Sequence, residues 1–307
     1  MFRKLLRGVL SVLLLLVIAC TWMFLPVRLS VDELPADLPW PTAQVPDGMS
    51  LHALPTGVMH SRAMLAFRGG GPEPRDFSMT AYLVRHPRGD LLIDAGMGSQ
   101  AARQLSQQSW LLRATSDLQL GEPAAVQLRQ AGIDPSSLSG VLLTHAHWDH
   151  VSGLTDLPGV PVRVPRVEHD FIGSGHRMAE LANSLPDAWR DYSFDGGPYL
   201  GYPRSHDVWG DGSIVVVPAG GHTPGSVVIF VSLPDGTRYG FVGDLVWQTE
   251  GLQRPAERPW IARALVDLDA AEVRKQIAHL AALQRRFPQL RLVPAHDDRM
   301  MRDLPSP

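Results

Sequence analysis

Three imidazoles and one carboxylate fall within six residues of this chain: His145, His147, Asp149 and His150. Imidazole plus carboxylate is the ligand set of zinc and related borderline metals. The 307 residues include only 12 His, so a cluster this dense points to a site rather than to a polar turn. The apolar run Val141-Leu142-Leu143 stands just before it and reads as the end of a buried strand. If the backbone stays extended, His145 and His147 lie at i and i+2 and project to one side. Val151 to Leu154 reads as the opening of a short helix. Further motifs come later: Gly221-His222-Thr223-Pro224-Gly225, Gly243-Asp244, and Pro294-Ala295-His296-Asp297.

These side chains need a frame. Strands are expected at residues 51–54, 59–67, 80–86 and 91–94, separated by punctuation such as Pro87-Arg88-Gly89-Asp90. Helical spacing follows at 101–112 and 122–131, and a strand at 140–143 delivers the His cluster. Alternating strands and helices with the site at a strand's carboxyl end is the usual layout for α/β chemistry. Residues 160–212 are less regular, with a strand at 162–164 and helical pieces over 168–185. His169 and His176 read as surface or capping residues rather than ligands. Trp189, Tyr192, Phe194, Tyr199, Tyr202 and Trp209 read as loop core, with an apolar wall over the site as the alternative. Strands at 213–218, 227–233 and 238–242 follow, the last two joined at Pro234-Asp235-Gly236. His222 and Asp244 then come just beyond strand ends. Asp269 to Glu272 is a capping-box pattern opening a helix to about 287, with Val273, Ile277, Leu280, Leu283 and Phe287 as its buried stripe. A last strand at 291–293 presents His296.

The order H-x-H-x-D-H, G-H-T-P-G, G-D and P-x-H resembles the metallo-β-lactamase superfamily, from about Met49 to about Asp298. The resemblance implies an α/β fold, the four-layer αββα sandwich. It implies that His145, His147 and His222 hold one metal, that Asp149, His150 and His296 hold a second, and that Asp244 bridges them. One tetrahedral catalytic zinc needs only three protein ligands, so this set calls for two metals. They are expected to be two Zn2+ ions, with manganese or iron as alternatives. Leu91-Leu92-Ile93-Asp94-Ala95-Gly96 matches the family's D-x-G turn, which makes Asp94 an orienting residue and not a ligand; its bland reading is a helix N-cap. The implied chemistry is attack on a carbonyl by a bridging hydroxide, with Asp149 passing a proton to the leaving group.

Substrate class rests on finer resemblance. Asp244 sets the chain apart from ordinary secreted metallo-β-lactamases, which generally lack this bridging Asp. His147 sets it apart from flavin-linked di-iron oxygen reductases, which usually carry Glu there. Residues 51–57, 80–89 and 92–97 resemble N-acyl-homoserine lactonases, including their Y-L-[IV]-x-H-P-x-G pattern. Those enzymes commonly place Tyr three residues after the bridging Asp, where this chain has Trp247. An indole donates one hydrogen bond but cannot act as a phenol does. The expected function is metal-dependent hydrolysis of a small ester or lactone. Alternatives are a thioester hydrolase of glyoxalase II type, hydrolysis of a β-lactam or phosphoester, and a membrane module that binds metal without turnover.

The chain's start has a different character. Arg3, Lys4 and Arg7 precede an uncharged run of 20 residues, 8–27, enough for about 30 Å of helix. Residues 1–27 read as a targeting segment whose basic flank stays in the cytoplasm, placing the rest on the periplasmic, extracytoplasmic side of a membrane. It is either an uncleaved anchor or a lipoprotein signal, with Val17-Ile18-Ala19-Cys20 as the cleavage box. Cys20 is the single cysteine, which excludes an intrachain disulfide and a thiolate zinc site. Residues 28–47, with Pro35, Pro39, Pro41 and Pro46, read as a tether, and 48–303 as the hydrolase domain. The 28 Gly and 26 Pro exceed average usage of about 12% and suit a loop-rich α/β protein. A net charge of −3 without a Lys/Arg block argues against nucleic acid. The expected partners are a small-molecule substrate and the membrane; oligomeric state is left open.

Overall fold

A computed structural model describes residues 2–108, 110–115, 117–185, 189–297, 299, 304, 305 and 307. The first element is α1 (Phe2–Phe24), a helix with no buried residue and a mean hydropathy of 2.3, long and apolar enough to cross a membrane. The proline-rich stretch 28–47, expected as a tether, carries no regular element and lies against the domain. Its Trp40 ring sits 5.0 Å from that of Phe287, and Pro41 O accepts from the Arg238 guanidinium at 2.9 Å. The expected domain end at 303 lies outside the described residues.

β1 (Ser50–Arg62) leads through α2 (Ala63–Ala66) into β2 (Pro74–Arg85), and the two strands pair antiparallel along their whole length. The expected break between residues 54 and 59 is instead a register shift between Pro55 and Gly57. One unpaired residue bends a strand without ending it. β3 (Leu91–Ile93), α3 (Ala101–Ser106), α4 (Trp110–Thr115), β4 (Asp117–Leu120) and α5 (Ala124–Gln130) follow. Then come β5 (Gly140–Leu142), α6 (Trp148–Val151), β6 (Val162–Pro165), α7 (Arg166–Ile172), α8 (Glu180–Ser184) and β7 (Trp189–Tyr192). These strands make a seven-stranded mixed sheet in the order β4-β1-β2-β3-β5-β6-β7.

The second half holds β8 (His206–Asp207), β9 (Ile214–Pro218), β10 (Val227–Ser232), β11 (Arg238–Gly243), α9 (Glu250–Gln253), α10 (Trp260–Val266), α11 (Ala270–Arg286) and β12 (Leu290–Pro294). Its five strands run β12-β11-β10-β9-β8, with β11 and β12 parallel.

Strand alternation explains how the sheets pack. Ile214 and Val216 of β9, with Val227, Ile229 and Val231 of β10, meet Tyr82, Val84, Leu91 and Ile93 of the first sheet. The opposite sides of the same strands, Val215, Val217, Val228 and Phe230, pack on Val273, Ile277, Leu280 and Leu283 of α11. On the first sheet's other face, Leu83, Leu92, Val141 and Val162 pack on Ala125 and Leu128 of α5 and Ile172 of α7. Both sheets are thus buried on both faces, which is why their strands read as continuous apolar runs. Asp269 caps α11 through Ala271 N and Glu272 N, as the capping-box pattern requires. The result is mixed sheets face to face with helices outside.

Candidate metal centre

Five strand ends converge on one point between the sheets. β3 leads to Asp94, β5 to Thr144 and the His cluster, β9 to His222, β11 to Asp244 and β12 to His296. The chain leaves β11 through Gly243 at φ +52, where a Cβ would stand 3.0 Å from Thr144 Cβ. Only glycine takes that conformation against that neighbour without strain.

Two donor groups form there. His145, His147, His222 and Asp244 are one; Asp149, His150, Asp244 and His296 are the other; within each, the ligand atoms lie within 4.8 Å of one another. Asp244 belongs to both. Its Oδ1 is 3.2 Å from His150 Nε2 and 3.0 Å from His296 Nε2, and its Oδ2 is 3.3 Å from His222 Nε2. Asp149 Oδ2 lies 3.5 Å from His296 Nε2. All seven residues named by the sequence motifs are therefore brought together.

The arrangement fits metal ions on its own chemistry. His150 Nδ1 faces Asp94 Oδ2 at 2.8 Å, His222 Nδ1 faces Asp267 Oδ1 at 2.8 Å, and His296 Nδ1 faces Ser78 O at 3.0 Å. Each partner is an acceptor, so each Nδ1 carries a proton and each Nε2 is left to face the Asp244 carboxylate. Positive charge, from a ring proton or a metal ion, must stand between them. Nε2 of His145, His147 and His222 is buried with no hydrogen-bond partner among the described residues, and a buried orphan of this kind is costly unless an ion fills it.

Electrostatics separate the rings. Burial, reinforced by His150, His222 and His147, holds His145 well below the usual imidazole range. Burial and His222 do the same for His147. Neutral imidazole is the form that ligates a metal. Burial also opposes charge on His150, but Asp94, Asp149 and Asp244 outweigh it and lift that ring well above its ordinary value. The Asp244 carboxyl is drawn well below its ordinary range: burial works the other way, and His296, His150 and His222 overcome it.

Further residues hold this set in place. Asp94, in a left-handed conformation at φ +53, accepts from Thr144 N at 2.7 Å and Thr144 Oγ1 at 2.8 Å as well as facing His150. A non-glycine residue there costs free energy that the surrounding bonds must offset. Sequence reasoning missed Glu168, Asp267 and Arg258. Glu168 is fully buried; Oε1 accepts from Ala146 N at 2.7 Å, while Oε2 accepts from Thr223 Oγ1 at 2.8 Å and Gly225 N at 2.9 Å. It ties the His145–His147 loop to the His222 loop. Burial raises its carboxyl pKa against those three donors. Arg258 donates to Asp244 O and to Asp267, and its guanidinium lies 4.7 Å from the Trp247 ring centre. No local pattern marks these three, because their partners are distant in sequence.

His169 and His176 lie elsewhere. His169 Nδ1 contacts Asp191, and His176 accepts from Met178 N at 3.3 Å. The aromatic residues of 189–209 are loop core: Trp189 packs with the first sheet's helices, and Tyr199 and Tyr202 with the second's. The wall over the site comes from other segments. A cavity of about 970 Å³ opens at His147, Asp149, Asp244 and His296 and is lined by apolar side chains of β1, α2, α8 and α10 together with polar ones such as Gln100, Arg103, Gln104 and Gln107.

Known proteins share this frame. Residues 75–296 match the Metallo-beta-lactamase superfamily. "Probable metallo-hydrolase Rv2300c" of Mycobacterium tuberculosis is 27% identical over 228 residues, 70% of this chain and 73% of that protein. The N-acyl homoserine lactonase AttM of Azorhizobium caulinodans is 26% identical over 168 residues, 50% of this chain and 59% of its own length. Among solved structures, an N-acyl homoserine lactone hydrolase with the product N-hexanoyl-L-homoserine at its catalytic metal center superposes with a TM-score of 0.67 at 16% identity, over 83% of this chain and 96% of that one. With the strand-end donor set in place and most of its length matched to the family, this chain belongs to the metallo-beta-lactamase superfamily.

Proposed function

We propose that this chain is a dinuclear metal hydrolase that cleaves an ester or lactone, with zinc as its metal. The observation that carries the reading is the shared position of Asp244 between two donor groups, in one of which three buried Nε2 atoms have no hydrogen-bond partner among the described residues. His145, His147 and His222 would hold one ion, Asp149, His150 and His296 the other, and Asp244 both. When bound, the ions supply Lewis acidity and bring the pKa of water toward ~7. Imidazole and carboxylate donors without thiolate suit zinc, with manganese or iron next.

The chain's own groups do the rest. Asp94, Asp267 and Ser78 O hold Nδ1 of His150, His222 and His296, so each Nε2 is turned to the centre before any ion arrives. Asp149 is the least buried of the ligand carboxylates and lines the cavity. As the water oxygen joins the acyl carbon and the bond to the leaving oxygen breaks, Asp149 carries a proton to that oxygen. Trp247 faces the same cavity and bonds Asp244, so it supports the carboxylate rather than the substrate carbonyl.

The lactonase relatives favour a lactone or ester over a thioester, β-lactam or phosphoester. α1 is proposed as an anchor that leaves the catalytic domain on the extracytoplasmic side of a membrane. The test is turnover of ester, lactone, thioester and phosphodiester probes by full-length protein, stripped with chelator and reloaded with zinc, manganese or iron. Turnover of esters or lactones that vanishes with the chelator and returns with zinc is expected. Two bound metals with no turnover of any probe would instead make the chain a metal-binding module.

A further inference from the structure

The cavity at the metal centre and the end of α1 share the same wall segments. α1 is gripped at its carboxyl end by two stretches of the domain. Arg68 Nε donates to Leu25 O at 3.1 Å and its Nη2 to Trp22 O at 2.8 Å, while Gly69 N donates to Phe24 O at 3.0 Å. The Arg68 guanidinium also lies 5.0 Å from the Trp22 ring centre. Just after the helix, Leu29 N donates to Pro255 O at 2.8 Å, and Arg68 N donates to Glu257 O at 2.9 Å. Arg68 is itself buried and faces the buried Glu257 carboxylate.

Those same stretches build the cavity. Leu65 stands three residues before Arg68, and Ile261, Leu265 and Val266 stand on α10, which starts just past Glu257; all four line the cavity. Two tryptophans stand close in sequence to lining residues yet face solvent. Trp260 is 60% exposed beside Ile261, and Trp110 is 72% exposed two residues after the lining Gln108. Exposed indoles at such positions cost solvation unless something covers the ring, and a ring with one polar N–H suits the boundary between water and lipid. α1 names the cover. All 23 of its residues are unburied by the domain, so a bilayer that takes them must also lie close to the segments gripping its end.

We infer that the cavity is loaded from a membrane: the rim formed by Trp110, Trp260 and the end of α1 seats on a lipid surface, and an acyl-bearing amphiphile passes from it into the cavity. Its apolar chain occupies the space between α2, α8 and α10, and its ester or lactone carbonyl reaches the metal centre. This rests on the hydrolase reading above. It differs from an enzyme that meets a dissolved substrate, because the rim contributes to capture and not to the chemical step.

The experiment uses full-length protein in phosphatidylcholine vesicles with two probes, p-nitrophenyl acetate in water and p-nitrophenyl dodecanoate carried in the vesicles. The pair Trp110→Ala and Trp260→Ala is expected to lower the vesicle-borne rate about tenfold, as a loss of interfacial binding of the order of one decade, and to leave the acetate rate within about twofold. A second readout is quenching of tryptophan emission by brominated lipid, compared between wild type and the milder Trp110→Phe, Trp260→Phe protein. Wild type should show extra quenching that the double variant loses. Equal loss on both esters, an unchanged dodecanoate rate, or identical quenching in the two proteins overturns the inference. If wild type turns over neither ester, the ester arm of the hydrolase reading fails and the quenching comparison alone decides whether the rim meets lipid.

Discussion

The indole Nε1 of Trp247 donates to Asp244 Oδ2 at 2.7 Å. A carboxylate oxygen has lone pairs enough to accept this bond and still bind a cation. The ring is held by Arg258 on one face and by Phe77 edge-on at 5.8 Å, so its donor is aimed by packing. The position thus orients the carboxylate that the two donor groups share.

Trp247→Phe keeps most of that ring packing and deletes the donor. Metal affinity should fall about tenfold to a hundredfold, the usual effect of losing a support behind a ligand, while stability of the stripped protein changes by only about 1 kcal/mol. Calorimetric titration with zinc measures the first and denaturant unfolding the second. Unchanged affinity would assign Trp247 to loop packing alone.

The histidines divide into two classes. His147→Ala removes a buried, unpartnered Nε2 from the centre and should abolish turnover. His169→Ala and His176→Ala touch rings outside both donor groups and should leave turnover near the wild-type level. Comparable losses in all three would mean that the ligands are misassigned.

Glu168→Gln tests the brace between the two His loops. Glu168 accepts three hydrogen bonds in a fully buried position, and an amide would turn donors against donors. The expected cost is about 2–4 kcal/mol of unfolding free energy, read by denaturant titration, with weaker zinc retention alongside. A cost near zero would show that the loops stand without it.

Arg258 and Asp267 form a buried ion pair behind His222, with side chains 2% and 1% exposed. Arg258→Met leaves the Asp267 charge without its main partner, since burial is offset there chiefly by Arg258 and then by His222. Breaking such a pair costs about 3–5 kcal/mol. Arg258→Lys should recover little of it, because one ammonium cannot reach both Asp244 O and Asp267 while stacking on Trp247. Unfolding curves of the three proteins decide the point, and full recovery by Lys would remove the geometric argument.

The donor set is legible because each donor sits in a short motif at a strand end. His145 to His150, His222, Asp244 and His296 need only local chain to announce themselves. The braces were not, because their bonds exist only in the fold: Glu168 is 22 residues from Ala146 and 55 from Thr223. The long core strands and α11 were readable from their apolar runs and cap. The expected gap between residues 54 and 59 was not, since Pro55 and Gly57 signal a turn as readily as a bulge. The expected helix 101–112 ends at Ser106 and resumes at Trp110; its spacing alone did not mark that interruption. The cavity wall has no sequence signature, because α10 is short and its apolar side chains face a void rather than a core. The denser aromatics of 189–209 fill the layers around the sheets.

Metal stoichiometry of wild type and Asp244→Asn, measured side by side with zinc in excess, tests the dinuclear site most directly. Asn keeps the shape and one oxygen but loses the charge that offsets repulsion between two close dications. Close to two metal ions per chain are expected in wild type and about one or fewer in Asp244→Asn, with hydrolysis lost in step. One ion per wild-type chain, or two ions and full activity in Asp244→Asn, would contradict it.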